Sequence, residues 1–268
     1  MTEQFLHAFH TDKPVLAMLH LGGADPDRVH EQAKREIEQY YGGGADGILV
    51  EDYFGSPDDV EWALDYLAGH YPGHVYGVNL LADPEKAFAL ANKYRASFLQ
   101  LDSVCGHLRP GYHMRGHDRP NLYAKSCDGD FAERLAQLRS GCPVFLLGGV
   151  RFKYQPVRSG RTLEEDLLLG KERCDAVVVT GAGTGITTDP EKIRLFRSIL
   201  GGFPLFVGAG VSAETCASQL AYADGAIVGS WFKQNGNTDA PVDPERVRQF
   251  MDIVRRLRET AQAETQLS

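Results

Sequence analysis

Short apolar runs alternate along this chain with longer stretches in which apolar positions recur at helical spacing, the pattern left by parallel strands joined through helices. Eight such runs predict strands over residues 14–20, 46–52, 74–79, 98–102, 143–150, 176–180, 205–208 and 226–229. Several are apolar at almost every position, as strands covered on both faces must be. The intervening helices carry start signals: Pro26, Pro57, Pro84, Pro190 and Pro244 each follow Asp or Ser, an N-cap with proline in the first turn. Three segments resemble one another, namely Gly44-Ala-Asp-Gly-Ile-Leu-Val-Glu51, Cys174-Asp-Ala-Val-Val-Val-Thr-Gly181 and Ala223-Asp-Gly-Ala-Ile-Val-Gly-Ser230. Each enters through a small residue and Asp, runs apolar, and leaves on a polar or glycine position, as one repeated βα unit would.

Eight units in order predict an α/β protein of the (β/α)8 TIM-barrel class rather than an open doubly wound sheet. The length of 268 residues suits one such domain, 1–268, since these barrels take about 250. Two stretches interrupt the rhythm. Residues 103–130, rich in His, Arg, Gly and Pro, read as a long loop after strand four and a candidate lid, with His107, Arg109, His113, Arg115 and His117 as its candidate contacts. Residues 151–161 form a second polar insertion, after strand five, carrying Arg151, Lys153, Arg158 and Arg161.

In a barrel the strand ends converge on one mouth whatever their separation in sequence. Those ends bring together His20, Glu51, Asp52, Asn79, Asp102, Arg151, Lys153, Thr180, Gly208, Gly210, Gly229 and Ser230. Glycines follow strands seven and eight in Phe206-Val-Gly-Ala-Gly-Val-Ser212 and Ile227-Val-Gly-Ser230, where bare backbone N–H groups can close around a phosphate. Tight turns alone would also use glycine; the coincidence at both positions favours phosphate. The loop Thr180-Gly-Ala-Gly-Thr-Gly185 brings Gly181 and Gly183 as a second anion cradle or a mobile turn, and lacks the Gly-Lys-Ser/Thr ending of a nucleotide-binding P-loop.

Candidate catalytic groups are Glu51, Asp102, Lys153, Arg151, His20 and Asn79. A carboxylate at Glu51 or Asp102 can serve as general base or hold a divalent cation such as magnesium. Lys153 and Arg151 can neutralise an oxyanion, and a desolvated Lys153 can act as base or imine-forming amine. His20 and Asn79 fit either the site or the satisfaction of buried backbone. Cys105, His107, His113 and His117 hold the donor atoms of a zinc site at a spacing that matches no common zinc pattern, so a substrate-contacting lid or a solvated loop competes with metal.

Composition narrows the partners. A hydrophobic share of 43% and a charged share of 24% describe an ordinary globular chain. A formal charge of −8 gives no field for holding nucleic acid or an anionic bilayer. Five cysteines without paired spacing, and a start lacking a basic and then apolar leader, predict a reduced, cytoplasmic protein. No uncharged apolar run reaches the length of a membrane span. Apolar outer helix faces fit a homo-oligomer.

The motifs together resemble the BtpA family, also called the BtpA/SgcQ family, named for a photosystem I biogenesis factor. The likeness is strongest over Ala223-Asp-Gly-Ala-Ile-Val-Gly-Ser230, Lys233, Gly236, Pro241-Val-Asp243 and Arg246. It extends to Leu19-His20, Gly47 to Glu51, Gly77-Val-Asn79, Lys153, the 180–185 loop and Val207-Gly-Ala-Gly210. The resemblance implies a TIM barrel of the ribulose-phosphate-binding kind, and defines the reaction poorly. Asp102 stands where such proteins tend to have Asn, and Gly149 where Asp is usual; with an unlike 103–130 segment, these departures imply a substrate of this chain's own. The leading expectation is an enzyme that acts on a small phosphorylated metabolite, a sugar phosphate or similar, by acid/base lyase, isomerase or transferase chemistry. A non-catalytic assembly factor and a magnesium-dependent transferase using a diphosphate donor are the alternatives.

Overall fold

A computed structural model describes residues 2–23, 25–81, 83–105, 128–154 and 160–267. Its eight strands are β1 (Val15–Leu19), β2 (Gly47–Glu51), β3 (Val75–Asn79), β4 (Phe98–Leu101), β5 (Phe145–Gly149), β6 (Ala176–Thr180), β7 (Leu205–Gly208) and β8 (Gly225–Val228). All pair in parallel, each with its sequence neighbours, and β8 closes on β1. Every expected strand is present, and the ring is the closed TIM barrel.

Outside it lie α2 (Pro26–Gly42), α3 (Pro57–His70), α4 (Pro84–Lys93), α5 (Asp128–Ser140), α6 (Leu163–Arg173), α7 (Pro190–Leu200), α8 (Cys216–Leu220) and α9 (Pro244–Leu267). The expected proline starts are all first residues of helices. Asp25, Ser56, Asp83 and Asp189 cap them by accepting the N–H of Arg28, Asp59, Lys86 and Glu191, which satisfies donors that have no partner within the helix.

The Asp of the three similar segments has one mechanical task. Asp46, Asp175 and Asp224 each accept, through Oδ2, the N–H of a residue on the preceding strand: Val15, Leu146 and Leu205. Their own N–H groups donate back to the carbonyls of those same residues. An arginine then covers each carboxylate, respectively Arg258, Arg139 and Arg197. The repeat is a clamp at the strand entrances, three times over.

Inside the barrel the two-residue period stacks side chains in layers. The lowest layer holds Leu16, Val75, Phe98, Phe145, Ala176 and Phe206, and the middle one Met18, Leu49, Leu147, Val178 and Ile227. Gly77 and Gly225 leave the volume that the Phe98 and Phe206 rings occupy, and a Cβ at either would overlap those rings. A helix outside the eight predicted units, α1 (Glu3–Phe9), closes the bottom. Its Phe5 and Phe9 meet Phe98, Phe145 and Phe206 with ring centroids 5.2–5.9 Å apart. Two more residues along each strand comes the upper layer, His20, Glu51, Asn79, Asp102, Gly149, Thr180 and Gly229, while on β7 Gly208 stands two residues beyond Phe206, beside Ile227.

Candidate functional site

Asn79 and Asp102 are buried, and His20, Glu51, Thr180, Gly208 and Gly229 line one cavity at the C-terminal mouth. Its walls are Met18, His20, Glu51, Gln100, Phe152 and Lys153, with the turns after β6, β7 and β8: Thr184 and Gly185, Gly208 to Gly210, and Gly229 with Ser230. About 40 Å³ is open to water centres, several times what one water needs, so a compact polar group fits. The turns after β7 and β8 therefore meet in space, as the phosphate expectation requires.

Backbone geometry explains the glycines there. Gly210 has φ +62°, and a Cβ on it would overlap the backbone of Ile186 and Thr187. Thr188 locks the turn by donating its hydroxyl to the carbonyl of Gly208 at 2.8 Å. Gly208 itself is roomier: an added Cβ would come no closer than 3.5 Å to Thr180 Cγ2. Ser230 reaches Thr238 at 2.7 Å, hydroxyl to hydroxyl.

The acidic side of the site is a hydrogen-bonded chain. Asn79 Nδ2 donates to Glu51 Oε1 at 2.9 Å and to Asp102 Oδ1 at 3.1 Å, and Gln100 Nε2 donates to the same Asp102 oxygen at 3.0 Å. Burial pushes the Glu51 carboxyl up to about 8, assisted by the negative field of Asp102 and opposed by Lys153. Asp102 is raised as well, again by burial, with Lys153, Gln100 and Asn79 opposing. Asp52, one residue out of phase with Glu51, accepts the N–H of Leu81 and supports the β3 exit.

His20 lies 3.9 Å from Glu51, Nε2 to Oε2. Burial, with Lys233 and Lys153 nearby, holds its imidazole well below the usual histidine range. With His20 neutral and Glu51 protonated near pH 7, the contact is no ion pair. Lys153 donates to the Thr184 hydroxyl at 3.2 Å, and its backbone N–H to Thr180 Oγ1 at 2.7 Å. This ties the β5 loop to the β6 loop.

The remaining candidates are placed differently. Arg151, with φ +47°, turns from the cavity and joins Asp166 at 2.9 Å, which Arg161 also holds at 2.7 Å. Gly181 packs on the carbonyl oxygens of Ile186 and Thr187, and Gly183 on Ile186 and Tyr154, so Thr184 and Gly185 face the cavity in their place. The Cys105 thiol is buried against the Asp166 carbonyl at 3.1 Å and pushed up to about 12 by burial. His107, Arg109, His113, Arg115, His117 and Arg158 lie outside the described residues. Among the described residues no group of three or more His, Cys, Asp or Glu gathers as a metal site, and no helix is long and apolar enough to cross a membrane.

Sequence reading missed three contributors. Gln100 is the one polar residue besides Asp102 within the 98–102 run and shares its phase, which is the signal that would have found it. Thr184 faces the cavity only through the fold of its loop. Lys233, 2% exposed, pairs with Glu36 of α2 at 2.7 Å, directly behind the β8 turn. It steadies that turn from below, a role that only the packing of α2 reveals.

The family model of the BtpA family matches residues 146–256. An uncharacterised protein of Thermococcus kodakarensis is 30% identical, over 93% of this chain and 98% of its own. The photosystem I biogenesis protein BtpA of Synechocystis is 26% identical, over 92% of this chain and 89% of its own. Among solved structures, a thiamine phosphate pyrophosphorylase of Pyrococcus furiosus superposes with TM-score 0.57 at 13% identity, covering 94% of this chain and 98% of that one. A phosphoribosyl anthranilate isomerase of Thermus thermophilus gives 0.57 at 13%, covering 91% and 100%. At such identities the structures establish the shared fold alone. The full-length relative, together with the family model, shows that the chain belongs to the BtpA family.

Proposed function

We propose that the barrel is an enzyme for a small phosphorylated metabolite, held by its phosphate at the turns after β7 and β8 and worked on by acid/base groups beside it. One observation carries the reading: Gly208, Ala209, Gly210, Gly229 and Ser230 line the same cavity as Glu51 and Lys153. Backbone N–H groups suit a phosphate's oxygens, and a barrel mouth is where this fold places chemistry. With its carboxyl ionising near pH 8, Glu51 carries a proton at neutral pH and acts first as general acid. The Lys153 ammonium beside it stabilises negative charge as it develops on the substrate. Buried ionisable groups at a cavity, which cost stability, favour this over an assembly scaffold.

Thermal unfolding with and without phosphate esters tests the reading. Esters at 100 times their Kd stabilise the wild type by about 2.7 kcal/mol. Gly208→Ala, which meets only ordinary contacts, keeps the fold and loses most of that effect. Glu51→Gln keeps binding and loses turnover. If no phosphate ester shifts the wild type, the reading is abandoned.

A further inference from the structure

Four buried polar atoms at the mouth lack a hydrogen-bond partner among the described residues: His20 Nδ1, Asn79 Oδ1, Gln100 Oε1 and Ser103 Oγ. Such atoms are rare in native proteins because leaving them unpaired costs as much as a lost hydrogen bond. Two of them are acceptors whose orientation follows from their hydrogen bonds: the Gln100 amide turns its NH2 to Asp102, and the Asn79 amide its NH2 to both Asp102 and Glu51. Each amide is thereby left with its oxygen pointing away from the carboxylates. Gln100 is 3% exposed and Asn79 0%, so bulk water does not satisfy them. Gln100 lines the cavity.

Strand order places this feature. In the closed ring β1 to β8, β3 and β4, which carry Asn79 and Gln100, stand across the barrel from β7 and β8. A ligand anchored by phosphate at the latter pair thus extends its far end toward the unpaired Gln100 oxygen on the cavity wall, with Asn79 buried on the neighbouring strand.

We infer that the β3–β4 side of the cavity is a recognition subsite for hydrogen-bond donors, hydroxyl or amino groups, at the end of the ligand opposite its phosphate, with Gln100 determining specificity. The inference rests on the phosphate reading only for the ligand's direction. An alkyl chain at that end would leave the buried oxygens unpaired, and a carboxylate, which only accepts, would offer them no proton.

Calorimetric titration with ribose 5-phosphate, glucosamine 6-phosphate, pentyl phosphate, inorganic phosphate and ribose separates the two ideas. The donor-bearing phosphates bind at least about tenfold tighter than pentyl phosphate, the worth of one good hydrogen bond. In Gln100→Met that gap closes while inorganic phosphate binds as in the wild type. Should Gln100→Met fail to fold, the wild-type series decides alone. The two sugar phosphates compared with each other tell hydroxyl from amino preference. Equal binding of ribose 5-phosphate and pentyl phosphate overturns the donor subsite and leaves the phosphate reading standing. Binding of ribose as tight as that of its phosphate ester upholds the donor subsite and removes the phosphate. Binding of none of the probes overturns both.

Discussion

At the scale of single residues, Glu51 concentrates the chemistry and its cost. Its carboxyl ionises near pH 8 when folded and near 4.5 when unfolded, so between those values the folded chain binds more protons. The stability this provides is complete below about pH 4.5 and is lost as pH rises through 8. Glu51→Gln, which keeps an oxygen for Asn79 and cannot ionise, removes that loss. Urea unfolding from pH 5 to 9 is expected to show the variant gaining on the wild type as pH rises. Parallel curves would mean that Glu51 is already ionised at neutral pH. The phase of a residue within its strand decides its role: Glu51 and Asp52 are adjacent, yet one faces the cavity and the other secures a backbone N–H.

At the scale of elements, the clamps at the strand entrances explain why three segments look alike. Asp224 holds the Leu205 N–H at 2.9 Å and Arg197 at 2.6 Å. Asp224→Ala leaves a buried β7 donor and a half-buried arginine without their acceptor, and chemical denaturation is expected to read a loss of ~1.5–3 kcal/mol. Asp46→Ala and Asp175→Ala should behave alike, since each accepts one strand N–H and one arginine. The clamps stand at the end of the barrel away from the mouth, so ligand affinity should not change.

At the scale of the whole molecule, the barrel has a closed bottom and a polar top. The bottom depends on α1, whose Phe9 is 1% exposed among Phe98, Phe145 and Phe206. Phe9→Ala opens a cavity there, and equilibrium unfolding should show a loss of about 3–5 kcal/mol. A loss under 1 kcal/mol would mean that α1 closes nothing. The i, i+4 spacing of Phe5 and Phe9 was a helical signal already present in the sequence, but seven residues are too few for periodicity to mark a helix without its partner. The plug became visible only with the phenylalanines of the barrel floor packed against it.

Strands, proline-capped helices and their order were legible in the sequence because they rest on local causes: side-chain period, capping and the fixed φ of proline. The glycines of the last two turns were legible too, since Gly210 answers a positive φ that few other residues adopt. Tertiary structure alone decided which strand-end residues share a cavity. Lys153 and Arg151 have similar charge and are two residues apart, yet Asp166, fifteen residues beyond Arg151, draws that arginine aside while Thr184 keeps Lys153 at the mouth. The Asn79 amide joins Glu51 to Asp102 across three neighbouring strands for the same reason: contacts between residues distant in sequence arise when the ring closes, and no local pattern encodes them.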